Sequence, residues 1–127
     1  GEPVATIAFT KDNFTETINR NDTVIIDFWA DWCEPCRAFA PTFEAASEKH
    51  TDIVFAKVDT DDQQELAGAL DIRAIPTLMV FRDQILLYRE PGALPPPVLE
   101  DLISQVRALD MDEVRRQIAE QPAEEEL

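Results

Sequence analysis

Cys33 and Cys36 are the only cysteines among 127 residues, and they stand three positions apart in Trp32-Cys33-Glu34-Pro35-Cys36. On the first turn of a helix, two thiols at that spacing can close a disulfide with little backbone movement. The unpaired N–H groups and the dipole of a helix start favour a thiolate on the first of them. Cys33 is therefore the expected nucleophile, attacking a disulfide to give a mixed disulfide. Cys36, one turn further in and more buried, is expected to resolve it by attacking the Cys33 sulfur. Pro35 suits the first turn, where its missing N–H leaves no bond unmade.

Half of a four-ligand zinc site has the same spacing. There is no second cysteine pair, and the single histidine, His50, falls at the far end of the same predicted helix, about 20 Å away at 1.5 Å per residue. No metal is expected, and no other cofactor. Two cysteines are also too few for the disulfide framework of a small secreted fold.

The elements around the pair read as strand, helix, strand. Thr23 to Trp29 is β-branched and aromatic with almost no polar break, as a central strand covered on both faces must be. Ile53 to Val58 is a second such strand. Between them Phe39, Phe43 and Ala46 recur at helical spacing from Glu34 to His50, with Pro41 inside the run. In a right-handed crossover the helix start sits at the carboxyl end of the first strand, where Cys33 falls. Before this unit, Ala5 to Phe9 reads as an edge strand and Thr10 as the cap of a helix over Lys11 to Asn21. After it come a short helix over Gln63 to Leu70 and a hairpin of Thr77 to Phe81 with Ile85 to Tyr88. The connection Arg82-Asp83-Gln84 lacks the usual turn glycine. Pro95-Pro96-Pro97 then opens a helix to Leu109. Asp110 and Glu113 form a capping-box pattern ahead of a short amphipathic helix over 111–121 carrying Met111, Val114 and Ile118, with an acidic, disordered end expected at 122–127.

The run Val24-Ile25-Ile26-Asp27-Phe28-Trp29-Ala30-Asp31-Trp32-Cys33-Glu34-Pro35-Cys36-Arg37, followed by Ala40-Pro41, Ala56-Lys57-Val58-Asp59, Ile75-Pro76-Thr77 and Pro91-Gly92-Ala93, resembles the thioredoxins from Val4 to Leu109. That resemblance implies an α/β thioredoxin fold, a central mixed β-sheet flanked by helices on both faces. It divides the chain into a domain over 1–109 and an extension over 110–127. It also implies reduction of protein disulfides, with electrons from an NADPH-dependent thioredoxin reductase. Pro76 is expected to be cis and, with Ile75, to line a groove for the substrate backbone facing the dithiol, with Gly92 as a further wall. An X-Pro bond is where the cis form costs only about 0.5–1 kcal/mol.

Asp27 lies in an otherwise apolar strand, where an uncompensated carboxylate costs several kcal/mol. The resemblance makes Lys57 its neighbour beneath the dithiol. Asp27, its pKa raised by burial, is then expected to accept the Cys36 proton, against the plainer reading of a structural ion pair. Trp32 is the expected contact surface for partners, with Trp29 as core.

Glu34 departs from the family pattern, which commonly has glycine there. At roughly 7 Å in water its charge opposes a Cys33 thiolate by about 0.6 kcal/mol. At the rim it is expected to repel acidic partners, to favour basic ones, and to impair docking to a standard reductase.

The chain carries 26 acidic and 11 basic residues, a net charge of −15. Seven of the acids and two of the bases lie from Asp110 onward, so the body before it still carries −10. Such a surface repels phosphate backbones and anionic lipids, which argues against nucleic-acid or membrane partners. No apolar run approaches the roughly 20 residues needed to cross a bilayer. A soluble, cytoplasmic monomer acting on disulfide-containing proteins is the expected working form. Two alternatives stand beside it. One is an extracytoplasmic oxidase or isomerase, against which Glu34-Pro35 argues. The other is an interaction module with incidental redox activity, against which the joint presence of Cys33, Cys36, Asp27, Lys57 and Pro76 argues.

Overall fold

The computed structural model describes residues 5–121. Five strands form one mixed sheet in the order β1-β3-β2-β4-β5: β1 Thr6–Ala8, β2 Thr23–Trp29, β3 Val54–Asp59, β4 Thr77–Arg82 and β5 Ile85–Pro91. β3 runs parallel to both β1 and β2, while β4 is antiparallel to β2 and β5. The helices are α1 Phe14–Arg20, α2 Glu34–Lys49, α3 Gln64–Ala69, α4 Pro96–Ala108 and α5 Met111–Glu120.

The central strand shows why the sheet is covered twice. Ile25 packs with Phe39 and Phe43 of α2 and with Leu99, Ile103 and Val106 of α4. Val24, Ile26 and Phe28 point the other way, toward Phe9, Ile18 of α1 and Leu66 of α3. Alternate residues of a strand face opposite sides, so a strand buried on both must be apolar throughout. Each fully buried Ile or Phe contributes about 1.5–3 kcal/mol. Asp27 shares the parity of Ile25, and the one charge in β2 therefore faces α2.

Boundaries shift where local side chains compete with the backbone. The first helix begins at Phe14, not Lys11. Thr10 Oγ1 accepts from the Asp12 N–H at 3.2 Å and Asn13 Oδ1 from the Thr10 N–H at 2.8 Å, closing a turn ahead of the helix. β3 starts one residue later than expected, and α2, α3 and α4 each lie within a residue of their expected ends.

The hairpin forms without glycine. Asp83 and Gln84 both take left-handed backbone, φ 52° and 69°. The turn is held from outside: the Asp83 N–H donates to the Asp22 carbonyl at 2.8 Å, and Arg115 of α5 pairs with the Asp83 carboxylate at 3.1 Å. Asp110 caps α5, its Oδ1 accepting from the N–H groups of Asp112 (3.0 Å) and Glu113 (3.2 Å). Met111 is buried and Val114 half-buried, whereas Ile118 is exposed, so only the first turns of α5 pack onto the domain. Arg82 Nη1 donates to the Val106 and Leu109 carbonyls, fastening the end of α4 to β4. The acidic end over 122–127 lies outside the described residues. Among those described, no helix is long and apolar enough to cross a membrane.

Candidate active site

β2 ends at Trp29, and Ala30 to Trp32 turn the chain into α2, with the Cys33 N–H donating to the Ala30 carbonyl at 3.2 Å. Cys33 is the N-cap of α2, in extended backbone, and its Sγ accepts from the Cys36 N–H at 3.2 Å. A sulfur in the capping position meets one of the orphan donors of the helix start. Cys33 and Cys36 are joined as a disulfide, with Cα atoms 5.2 Å apart. The expected contrast in their burial is slight: they are 4% and 2% exposed, in one cluster with Ala30 against which Trp29 and Ile75 pack. Glu34 and Pro35 between them are exposed.

The Ile75–Pro76 bond is cis. The Ile75 carbonyl oxygen lies 3.8 Å from Cys33 Sγ. Gly92, at φ 120°, donates its N–H to the Pro76 carbonyl at 2.8 Å, which ties the end of β5 to the cis-proline loop. That φ is one that side-chain-bearing residues rarely adopt. Beside the disulfide runs an open groove of about 190 Å³, lined by Trp32, Thr60, Ile72, Arg73, Ala74 and Ile75. Trp32 stands 68% exposed at its edge, with Nε1 donating to Asp61 Oδ2 at 2.9 Å.

Asp27 is fully buried, and among the described residues neither carboxyl oxygen has a hydrogen-bond partner. Burial pushes its pKa up to about 7; Lys57 pulls it down and Glu44 pushes it further up. Lys57 sits opposite Asp27 in the β2–β3 register, but its Nζ lies over the Trp29 ring, 5.0 Å from the centroid, and makes no ion pair with the carboxylate. The two side chains are therefore not in direct ion-pair contact, although the Lys57 charge still acts on the carboxyl. Lys57 and Trp29 also line a cleft of about 270 Å³ with Thr6 to Thr10, Asp59, Asp62 and Gln63.

Every expected site residue therefore falls around the disulfide or on the sheet face and loops next to it, except that Trp29, expected as core, is half-buried and carries Lys57 on its ring. His50 caps the far end of α2, its Nε2 2.8 Å from Glu100 Oε1. Among the described residues no cluster of His, Cys, Asp or Glu is arranged to hold a metal ion. Thr60, Asp61 and Arg73 were not legible as site residues. The signal for Asp61 was its place just past the carboxyl end of β3, the same sheet edge that carries Cys33.

The family model described as Thioredoxin matches residues 5–107. The chain belongs to the thioredoxin family. Over 120 residues it is 52% identical to a Streptomyces coelicolor protein named "Putative thioredoxin 2", covering 94% of this chain and 90% of that one. It is 43% identical over 96 residues to a thioredoxin of Coprinus comatus, covering 74% and 90% of the two chains. A solved structure of a mutant thioredoxin from Halobacterium salinarum superposes with a TM-score of 0.76 at 33% identity, over 87% of this chain and 99% of that one. As a thioredoxin, the chain is a thiol-disulfide oxidoreductase whose redox pair is Cys33–Cys36 and whose activity is the reduction of protein disulfides. The Streptomyces match cannot reach 94% of the chain without entering the segment beyond residue 109.

Proposed function

We propose that the residues around the redox pair divide the reaction as follows. In the reduced protein the Cys33 thiolate attacks a substrate disulfide. A Cys33–substrate S–S bond forms, the substrate S–S bond breaks, and the departing sulfur takes a proton from solvent. Cys36 then passes its proton to the Asp27 carboxylate and attacks Cys33 Sγ. The Cys33–Cys36 bond forms, the mixed disulfide breaks, the second substrate sulfur leaves as a thiolate that takes up a proton from solvent, and two electrons have moved to the substrate dithiol. Lys57 keeps the Asp27 carboxylate from becoming too basic, since its charge opposes the effect of burial. Trp32, Glu34, Pro35, Ile75, Pro76 and Gly92 form the surface that receives the substrate backbone, with the groove beside Cys33 as its apolar part.

The single observation that carries this reading is the buried, unpartnered Asp27 on the sheet face covered by the helix that bears the pair. We further infer an NADPH-dependent thioredoxin reductase as the source of electrons, a cytoplasmic setting and a monomeric working form. Glu34, exposed on the docking face, sets the reductase's tolerance. The working domain is residues 1–109, with 110–127 as an extension; the family match ending at 107 and the start of α5 at Met111 support that division.

Equilibration with a defined thiol–disulfide buffer tests the direction of electron flow. Thioredoxins lie near about −270 mV, a general family value and not a property of this fold. A midpoint at or below about −260 mV fits a reductase, and one above about −200 mV would make the chain an oxidase or isomerase.

A further inference from the structure

The segment from Leu70 to Ala74 leads out of α3 into the cis bond at Ile75–Pro76 and walls the groove beside Cys33. A second cleft, about 210 Å³, lies against the same stretch, lined by Asp71 to Ala74, Thr77, Arg89 and Pro91. Ile72, Arg73 and Ala74 border both. They form a ridge between two open clefts, and among the described residues its apolar packing is that of Ile72 on the α1/α3 core. The backbone leading into it is also strained: Asp71 holds φ 55°, a left-handed conformation that costs a non-glycine residue roughly 1 kcal/mol.

Hydrogen bonds replace the missing packing. The Asp71 N–H donates to the Gly68 carbonyl and the Ile72 N–H to the Ala67 carbonyl, both at 3.0 Å. Arg73 Nε donates to Asp71 Oδ1 at 2.9 Å, and Thr77 Oγ1 to the Ala74 carbonyl at 2.5 Å. All of these join near neighbours in sequence. The exception is Arg89 of β5, whose Nη1 donates to the Leu70 carbonyl at 2.7 Å and whose Nη2 donates to the Asp71 carbonyl at 2.6 Å. Two adjacent carbonyls suit the rigid fork of a guanidinium, and a lysine ammonium at the same place would reach one of them at a time.

We propose that Arg89 is a positioning residue for protein substrates: by clamping the Leu70 and Asp71 carbonyls to the sheet it fixes the Ile72–Ala74 ridge, and with it the groove wall and the Ile75 carbonyl that face Cys33. It touches no reacting atom. The proposal rests on reading that groove as the seat of the substrate backbone. A loosened ridge would have to be ordered by each incoming substrate, which weakens binding and leaves the bond exchange alone.

The test is steady-state reduction of insulin disulfides by the full chain, with dithiothreitol as electron donor, alongside the midpoint potential and the melting temperature. Arg89→Ala is expected to raise KM about fivefold with kcat within about twofold of wild type, the potential unchanged, and Arg89→Lys to fall between. With a small aromatic disulfide, which does not fill the groove, the variants should match wild type. A wild-type KM for insulin in Arg89→Ala overturns the proposal. So does an equal loss with the small disulfide, the mark of general loosening. Should Arg89→Ala fail to fold, Arg89→Lys decides alone: a KM raised about twofold supports the clamp and an unchanged one overturns it. A wild-type chain that leaves insulin disulfides intact would instead overturn the reading of the groove on which the clamp rests.

Discussion

Two carboxylates seven positions apart, Asp27 and Glu34, meet opposite environments. Asp27 lies in the middle strand, fully buried, with no donor for either oxygen among the described residues. Glu34 stands in the first turn of α2, exposed to water. The same functional group is thus, in the proposed mechanism, a proton acceptor on the floor of the site and a fixed charge on its rim. Water decides which: removing it destabilises the ionised form by several kcal/mol, while leaving it in place screens the charge to a fraction of one. The comparison predicts that changes on the floor alter stability and its pH dependence, whereas changes on the rim alter potential and partner choice by small, salt-sensitive amounts.

The largest effect should come from Asp27→Asn. The folded-state pKa of about 7 lies above the ordinary value of 3.8, so the fold holds this proton more tightly than the unfolded chain does. Stability from this group is therefore fully present below pH 4 and is lost as pH rises toward and through 7. Asparagine never ionises. The variant should match wild type near pH 4 and exceed it at pH 8 by roughly 4 kcal/mol, on the order expected for such a shift. Denaturant unfolding of the oxidised protein at the two pH values measures this. Turnover should move the other way, falling on the order of tenfold or more at pH 7, because Cys36 loses its proton acceptor. A variant no more stable at pH 8 would show that Asp27 is compensated by a group outside this geometry.

Lys57→Met sharpens the same floor. Lys57 lowers the Asp27 pKa, and its loss should raise it further, leaving less carboxylate at pH 7. Insulin reduction should then fall about two- to fivefold at pH 7 and recover toward pH 9. The methionine keeps an unbranched apolar side chain of similar length beside Trp29, so the melting temperature should change little. A uniform loss at every pH would mean that Lys57 acts through packing on the indole and not through charge.

This division was partly readable in the sequence. β2 could be placed to the residue because a two-sided strand has one composition, and Asp27 stood out as its single violation. The helix start at Cys33 followed from the strand before it and from Pro35. What could not be read depends on contacts between distant segments. Nothing local says that the Lys57 ammonium prefers the Trp29 face to the carboxylate, or that Asp61 receives the Trp32 indole. Arg89 looks like an ordinary edge-strand cation until the fold brings it to two carbonyls 18 and 19 positions away. The glycine-free hairpin is a similar case, since its partners Asp22 and Arg115 come from either end of the chain.

The smallest effect belongs to the rim. Glu34→Gly removes a negative charge next to Cys33 in the chain, and for a separation taken as roughly 7 Å in water that loss corresponds to about 0.6 kcal/mol in favour of the thiolate. The reduced form gains that energy, so the midpoint potential should rise by roughly 10 mV and the Cys33 thiol should become more acidic. Because Glu34 is exposed, raising the ionic strength from about 0.01 M to about 1 M shrinks the screening length from about 30 Å to about 3 Å and should erase the difference. The stability gain of Asp27→Asn should survive the same salt, its charge being buried. An opposing contribution exists, since an acid in the first turn of α2 is itself favoured by the helix dipole, and glycine removes that support from the oxidised and reduced folds alike. It cancels in the potential and remains in the melting temperature. Equal thiol titrations of wild type and Glu34→Gly at low salt would therefore sink the electrostatic argument on its own, whatever the variant does to stability.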